Sequence, residues 1–230
     1  RSHHHREMTF AMLYAYDERF VLPLSHDEVV HGKGSLLSKM AGDDITRFAS
    51  LRALFAWQWA LPGSPLVFMG SEIAPWDEWS EQTTLPWHLL DDAPHRGVRD
   101  LIAHLNAVAD AWPALWRRDG DPGGFQWLDA DDAEHSIYAF ARWDLAGAAA
   151  VVCIANFSST TRSGYRVGLP WGGAWDVVLD TNDARWIGGV QRADPSTVAA
   201  LDEPWQHCSS SSVVELGPMS MVWLAARSPG

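Results

Sequence analysis

The sequence predicts a protein of two parts, an α/β region followed by an all-β region. In residues 1–118, short apolar runs alternate with longer segments whose apolar residues recur every three or four positions, as on one face of a helix. In residues 119–230, short runs rich in β-branched and aromatic residues are separated by Gly, Pro, Asp and Asn, which is typical of antiparallel strands. The polar, Gly-rich stretch at residues 117–124 indicates the boundary between the two parts.

The α/β region contains two predicted strands, which we expect to pair in parallel. Residues 20–24 and 65–70 are continuous apolar runs, as found in strands that are buried on both faces. Each run is followed by a predicted helix, and this order implies parallel pairing through right-handed crossovers. Two such strands cannot form a stable sheet alone. We therefore expect the chain to be the C-terminal portion of a larger protein, whose upstream part completes the sheet.

Two helices are predicted in the same region. The first begins near Asp43 and Asp44, which supply capping oxygens and negative charge at a helix N-terminus, and it ends at Pro62 and Gly63. Its apolar positions are Ile45, Phe48, Leu51 and Phe55. The second ends at Pro113. Its apolar face consists of Val98, Leu101, Ile102, Leu105, Val108, Ala109 and Trp112.

The all-β region is predicted to be an antiparallel sandwich. Six strand-like runs occupy residues 136–143, 149–157, 165–169, 174–179, 212–216 and 219–225. The stretch between the fourth and fifth, residues 182–211, is predicted to be a long loop with little regular structure.

Composition excludes some classes of partner. The chain has 230 residues and a formal net charge of −12 without a basic cluster, which argues against binding nucleic acid. No apolar run approaches the roughly 20 residues that span a bilayer, so we expect no membrane partner. The two cysteines argue against a disulfide scaffold and favour a cytoplasmic location.

Residues 23–35, PLSHDEVVHGKGS, concentrate acids, histidines and glycines without completing a common motif. The two histidines, His26 and His31, are five positions apart, whereas a zinc helix needs a spacing of four. The Gly-Lys-Gly-Ser stretch lacks the upstream glycine of a phosphate-binding loop. We therefore predict neither a metal nor another cofactor.

The position of this motif is more informative than its composition. His26 and Asp27 directly follow the first predicted strand, and polar residues at the carboxyl ends of barrel strands line active sites. A solvated acid that merely ends a strand remains an equal alternative. The chain also contains 14 tryptophans. Most are expected to pack in the core, but indole faces also stack on sugar rings.

Residues 25–35, SHDEVVHGKGS, resemble the fourth conserved region of α-1,4-glucan branching enzymes in the α-amylase superfamily. The resemblance continues in the stretch LVFMGSEIA, which is similar to the last barrel strand of that family, and in residues 1–20. It therefore favours native sequence over a purification tag for the three histidines at 3–5. Ile73 and Pro86 depart from the family, which usually has Phe and Asp there.

The resemblance implies a specific fold and reaction. Residues 1–118 would be the last two strands and helices of a (β/α)₈ barrel, and residues 119–230 the C-terminal β-sandwich domain. The enzymes of this family cleave α-1,4-glucan and transfer the segment to a 6-hydroxyl by a retaining double displacement, so the partner would be an α-1,4-glucan or glycogen. The nucleophile and the acid/base would lie upstream, and the chain alone would be inactive.

The resemblance also assigns residues. It implies that Asp27 is the transition-state stabiliser and that His26 binds a substrate hydroxyl. The further residues that it makes candidates for substrate binding are Glu28, His31, Lys33, Trp76, Trp79 and Trp87. Two alternatives remain open: another glycosidase of the superfamily, either debranching or trehalose-releasing, and a non-catalytic glucan-binding module.

Overall fold

The computed structural model describes residues 5–22, 24–189 and 197–229, which form a layer of helices packed on an antiparallel sheet. The helices are α1 (His5–Phe10), α2 (Leu36–Lys39), α3 (Asp44–Ala60) and α4 (Ala93–Ala111). The strands are β1 (Phe125–Asp129), β2 (Ile137–Trp143), β3 (Ala149–Asn156), β4 (Arg162–Leu169), β5 (Gly173–Asp180), β6 (Thr197–Ala200), β7 (Ser210–Leu216) and β8 (Ser220–Arg227). His3 and His4 lie outside the described residues.

The two long predicted helices are confirmed. The side chain of Asp43 caps α3 by accepting a hydrogen bond from the amide of Thr46 at 2.9 Å. Twelve of the seventeen residues of α3 are buried, because this helix lies between α4 and the sheet. The prediction was wrong for Ile45, which is 80% exposed because it lies in the first turn of α3, before the helix enters the core.

The prediction of two parallel strands was wrong. The described part of residues 20–24 makes a single parallel bridge between Val21 and Ser64, and residues 65–68 adopt no strand. Leu22 donates to the carbonyl of Ser64 at 2.8 Å, and Ser64 donates to that of Phe20 at 3.0 Å. Val21 is 60% exposed. An inner strand of a parallel sheet needs a neighbour on each side, and within the described residues these two segments pair only with each other.

The predicted antiparallel β region is confirmed, with two strands that the sequence analysis missed. The main sheet has the strand order β1-β2-β3-β8-β5-β6, and β4 pairs with β7 in a second, two-stranded sheet. Both β1 and β6 were missed, and β6 lies within the predicted loop 182–211. That loop also contains a 3₁₀ helix, Ala184–Ile187. Residues 190–196 of the loop fall outside the described ranges.

The main sheet is buried on both faces. One face of β3, with Val151, Cys153 and Ala155, packs in a core that includes Trp57 of α3 and Leu101 of α4. The opposite face packs against the two-stranded sheet, including Val167, Leu169, Val214 and Leu216. Burial on both faces explains why β3 and β8 read as continuous apolar runs. The helices and the sheet therefore share one core.

Candidate functional site

The residues around His26 and Asp27 form a short 3₁₀ turn, His26–Glu28. Ser25 caps the turn, because its hydroxyl accepts a hydrogen bond from the amide of Asp27 at 3.4 Å. The carbonyl of Ser25 accepts a further bond from the amide of Glu28 at 3.1 Å. The turn therefore projects the side chains of His26 and Asp27 away from the backbone into solvent.

His26 and Asp27 are adjacent in space as well as in sequence. Nε2 of His26 lies 3.2 Å from Oδ1 of Asp27, and the two side chains are 59% and 68% exposed. The ring of His26 also lies near Phe68, with 6.0 Å between ring centroids. This pair presents a carboxylate and an imidazole at an open surface, where both can hydrogen-bond the hydroxyls of a polar ligand.

Glu28 points away from this pair. Its carboxylate forms an ion pair with the Nζ of Lys39 at the end of α2, at 3.2 Å. The same Nζ donates to the backbone carbonyl of Glu28. The structure therefore gives Glu28 a role in joining the turn to α2. Lys33 lies on the exposed surface of the following loop.

The loop from His31 to Gly34 has an unusual backbone. His31, Gly32 and Gly34 all have positive φ values, of 60°, 82° and 74°. Glycine adopts this left-handed conformation readily, whereas a histidine there is strained. The conformation turns the amides of Gly32 and Gly34 towards one point, and concave arrangements of this kind bind anions.

The anion in this loop is the side chain of Glu78. Its Oε1 accepts from the amide of Gly32 at 3.0 Å, and its Oε2 accepts from the amide of Gly34 at 2.7 Å. These two hydrogen bonds lower the pKa of Glu78 below its ordinary value, and the nearby His31 lowers it further. The sequence analysis missed Glu78. The signal available in the sequence was the glycine pattern, because turns of this kind bind anions.

The three candidate tryptophans occupy different environments. Trp76 packs edge-to-face against Phe48 at 5.7 Å and His95 at 5.9 Å, in the core under the loop. Trp79 packs edge-to-face on Phe68 at 5.3 Å. Trp87 begins a 3₁₀ helix, Trp87–Asp91, and is 60% exposed. Only Trp79 lies near the His26 ring, through their shared neighbour Phe68.

A cleft of about 460 Å³ brings part of the predicted site together. It is lined by His26, His31 and Trp79 from the predicted set, with Phe68 and Glu78 added by the structure. Trp76 and Trp79 also line a neighbouring cavity of about 400 Å³. Glu28, Lys33 and Trp87 line neither of these two cavities. The cleft thus groups His26, His31 and Trp79. Asp27 lines neither cavity and is joined to this group through its contact with Nε2 of His26.

The arrangement is suited to binding a polyhydroxylated ligand. Glu28 is paired with Lys39 and Glu78 with backbone amides, whereas the exposed carboxylate of Asp27 contacts His26.

Within the described ranges, no three His, Cys, Asp or Glu side chains converge as metal ligands. No helix in that part of the chain is long and apolar enough to cross a membrane.

The chain is similar to known proteins over nearly its whole length. Residues 127–227 match the protein family described as Alpha amylase, C-terminal all-beta domain. The chain is 47% identical over 228 residues to the 1,4-alpha-glucan branching enzyme GlgB of Frankia casuarinae, which is 98% of this chain and 28% of that protein. The enzyme of the same name from Burkholderia vietnamiensis is 49% identical over 225 residues, which is 98% of this chain and 30% of that protein. The chain thus spans about 30% of the length of the curated relatives that it matches.

Proposed function

Because the chain is similar over nearly its whole length to 1,4-alpha-glucan branching enzymes, we propose that it is the C-terminal portion of such an enzyme. The observation that carries the proposal is identity of 45–49% across 97–99% of the chain. The proposed substrate is an α-1,4-glucan, the product is an α-1,6 branch of glycogen, and the location is the cytoplasm. Residues 1–118 would complete a (β/α)₈ barrel with an upstream part of the polypeptide, and residues 119–230 would be the C-terminal domain.

The reaction requires two carboxylates besides Asp27. A retaining transfer proceeds through a covalent glycosyl–enzyme intermediate, with a carboxylate nucleophile and a separate acid/base about 5 Å apart. Glu28 and Glu78 are engaged with Lys39 and with backbone amides, so neither is placed for these roles. We assign both roles to the upstream part of the protein.

Asp27 and His26 would act on the sugar at the cleavage point. The exposed carboxylate of Asp27 can accept hydrogen bonds from ring hydroxyls and stabilise the positive charge that develops at the anomeric carbon. His26 can orient Asp27 by donating from Nε2, 3.2 Å away, while its Nδ1 accepts a hydrogen bond from a hydroxyl of the same sugar. His31 and Trp79, which line the cleft together with His26, would bind neighbouring sugar units.

The remaining candidates have weaker support for contact with substrate. Glu28 and Trp76 are held by Lys39 and by the rings of Phe48 and His95, which favours a supporting role for both. Lys33 and Trp87 are exposed outside the cleft and would contact only a long glucan that extends beyond it.

The proposal is tested with the longer protein that contains this chain. Incubation with amylose should reduce iodine staining and create α-1,6 linkages, measured by linkage analysis of the product. Free reducing ends without new branches would instead indicate a hydrolase of the same superfamily. Glucan binding without any turnover would indicate a binding module. The isolated 230-residue chain should show no turnover, because it lacks the nucleophile and the acid/base.

The role of Asp27 is tested by Asp27→Asn in the same protein. This change keeps the shape of the side chain and removes its charge, so kcat should fall by at least about 100-fold, the cost of one lost electrostatic stabiliser in a transition state. Asp202→Asn, at an exposed position of the β region, is the matched control and should leave kcat unchanged. Near-normal kcat in Asp27→Asn would refute the assignment.

A further inference from the structure

Three contacts join the loop that follows the His26–Glu28 turn to a second loop about 45 residues later. The carboxylate of Glu78 binds the amides of Gly32 and Gly34. The amide of Trp79 donates to the carbonyl of Val29 at 3.1 Å. The hydroxyl of Ser35 donates to the carbonyl of Trp76 at 3.1 Å. The first loop is thus linked to residues 76–79 at four points between residues 29 and 35.

Glu78 is the one charged side chain among these contacts. A carboxylate that accepts from two backbone amides forms charge-assisted hydrogen bonds, which are roughly twice as strong as neutral ones. The two bonded amides lie on either side of Lys33, so the carboxylate fixes the loop on both sides of this exposed residue. The left-handed backbone at His31 persists because surrounding contacts determine it.

We propose that Glu78 is a positioning residue, whose clamp on Gly32 and Gly34 holds the His26–Glu28 turn and His31 in place against Trp79. This inference rests on the proposed function, because the turn it positions carries Asp27. The glycine-rich stretch is thus an anion-binding loop, and its anion is a side chain of the same protein. Glu78 acts through the backbone and does not contact the reacting atoms.

The chemistry of the clamp predicts how each substitution behaves. Glu78→Gln keeps one accepting oxygen, but its NH₂ group faces the amide that the second oxygen had bound, and two donors cannot pair. Glu78→Ala removes both acceptors. Glu78→Asp keeps the charge on a side chain shorter by one methylene, so it can restore at least one of the two hydrogen bonds.

Hydrogen exchange tests the clamp independently of activity. In the longer protein, backbone exchange in peptides that cover residues 29–35 should become at least tenfold faster in Glu78→Gln and Glu78→Ala, and Glu78→Asp should be intermediate. Glu215→Gln, on the exposed face of β7, should leave these peptides unchanged. Unchanged exchange in Glu78→Gln would overturn the clamp.

Kinetics then test whether the clamp positions the site. Because an error of about 1 Å in placing a reacting group can cost 100-fold in rate, kcat for branching should fall by 10- to 100-fold in Glu78→Gln. KM, which also depends on His31 and Trp79, should rise by a smaller factor than kcat falls. Partial recovery of kcat in Glu78→Asp supports positioning. Faster exchange with normal kcat would overturn it. If the parent protein shows no branching activity, the proposed function fails while the exchange result still decides the clamp.

Discussion

The guanidinium of Arg142 is fully buried in β2, and it joins three segments of the chain. Its Nη1 donates to the carbonyl of Ala60 at the end of α3, at 2.6 Å. Its Nη2 donates to the carboxylate of Asp119, and its Nε to the carbonyl of Gly124 at 3.4 Å. Burial nevertheless raises the pKa of Asp119, because desolvation outweighs the attraction of Arg142.

Replacing Arg142 should therefore leave a carboxylate without its partner. Arg142→Met is expected to lower the free energy of unfolding by about 3 kcal/mol, measured by urea denaturation at neutral pH. The loss should shrink as the pH falls through the raised pKa of Asp119, because protonation removes the unpaired charge. Arg99→Met breaks an exposed ion pair with Asp100 and should cost less than about 1 kcal/mol. A loss in Arg142→Met that is independent of pH would contradict this explanation.

At the scale of the site, the sequence predicted His26 and Asp27 because these two residues lie in a recognisable motif. The contact between Glu78 and the loop could not be predicted, because Glu78 binds backbone amides that lie 44 and 46 positions away. Backbone amides are the same in every residue except proline, so the partner leaves no side-chain signature in the sequence.

Helix α4 packs closely against the 3₁₀ helix Ala184–Ile187 at Gly97. A Cβ built on Gly97 would lie 1.7 Å from the backbone carbonyl oxygen of Trp186. The indole of Trp186 is fixed in turn, because its Nε1 donates to the carbonyl of Asp180 at 2.8 Å. Because glycine has no side chain, the backbone at Trp186 can pack directly against α4 at this position.

The close approach reverses the usual effect of a Gly-to-Ala change. Alanine favours a helix interior by about 1 kcal/mol over glycine, yet Gly97→Ala should destabilise the protein by about 2 kcal/mol, because overpacking forces the backbone apart. The denaturation midpoint measures the effect. Ala107→Gly, at an exposed position of α4, should cost about 1 kcal/mol through propensity alone. A more stable Gly97→Ala variant would show that this contact is not tight.

Helices and strands could be predicted where their apolar pattern in the sequence was long enough. Helices α3 and α4 have 17 and 19 residues, and the buried faces of β3 and β8 are continuous. Strand β6 has four residues, too few for a period of two to be recognised. Residues 20–24 have the composition of a strand, but hydrogen bonding depends on neighbours, and only Ser64 pairs with them in the described chain.

The helices and the main sheet form one core at the scale of the whole molecule, and Trp57 lies at their junction. Its ring contacts Tyr138 and Phe140 of β2 at 5.4 and 5.5 Å, and Phe157 at 5.4 Å. The tryptophan belongs to α3, but its partners belong to the β region. The two regions predicted from sequence composition are therefore coupled through their packing.

Because of this coupling, we expect a core substitution in a helix to destabilise the sheet as well. Trp57→Ala should lower the free energy of unfolding by about 3–5 kcal/mol and increase hydrogen exchange in β2, which lies in the other region. Ile45→Ala changes an apolar residue of the same helix that is 80% exposed, and it should cost less than about 0.5 kcal/mol. Increased exchange in the helices with unchanged protection of β2 would contradict the coupling.

The shared core also bears on how this protein could be recombined with others. The family match covers residues 127–227, and a chimaera built at that boundary would transplant a sheet without the helices that cover one of its faces. Its exposed apolar surface would favour aggregation. A crossover point upstream of α3 would instead carry Trp57, the carbonyl of Ala60 bound by Arg142 and the close approach at Gly97 together with the sheet. The transferable unit is therefore larger than the sheet that the family match outlines.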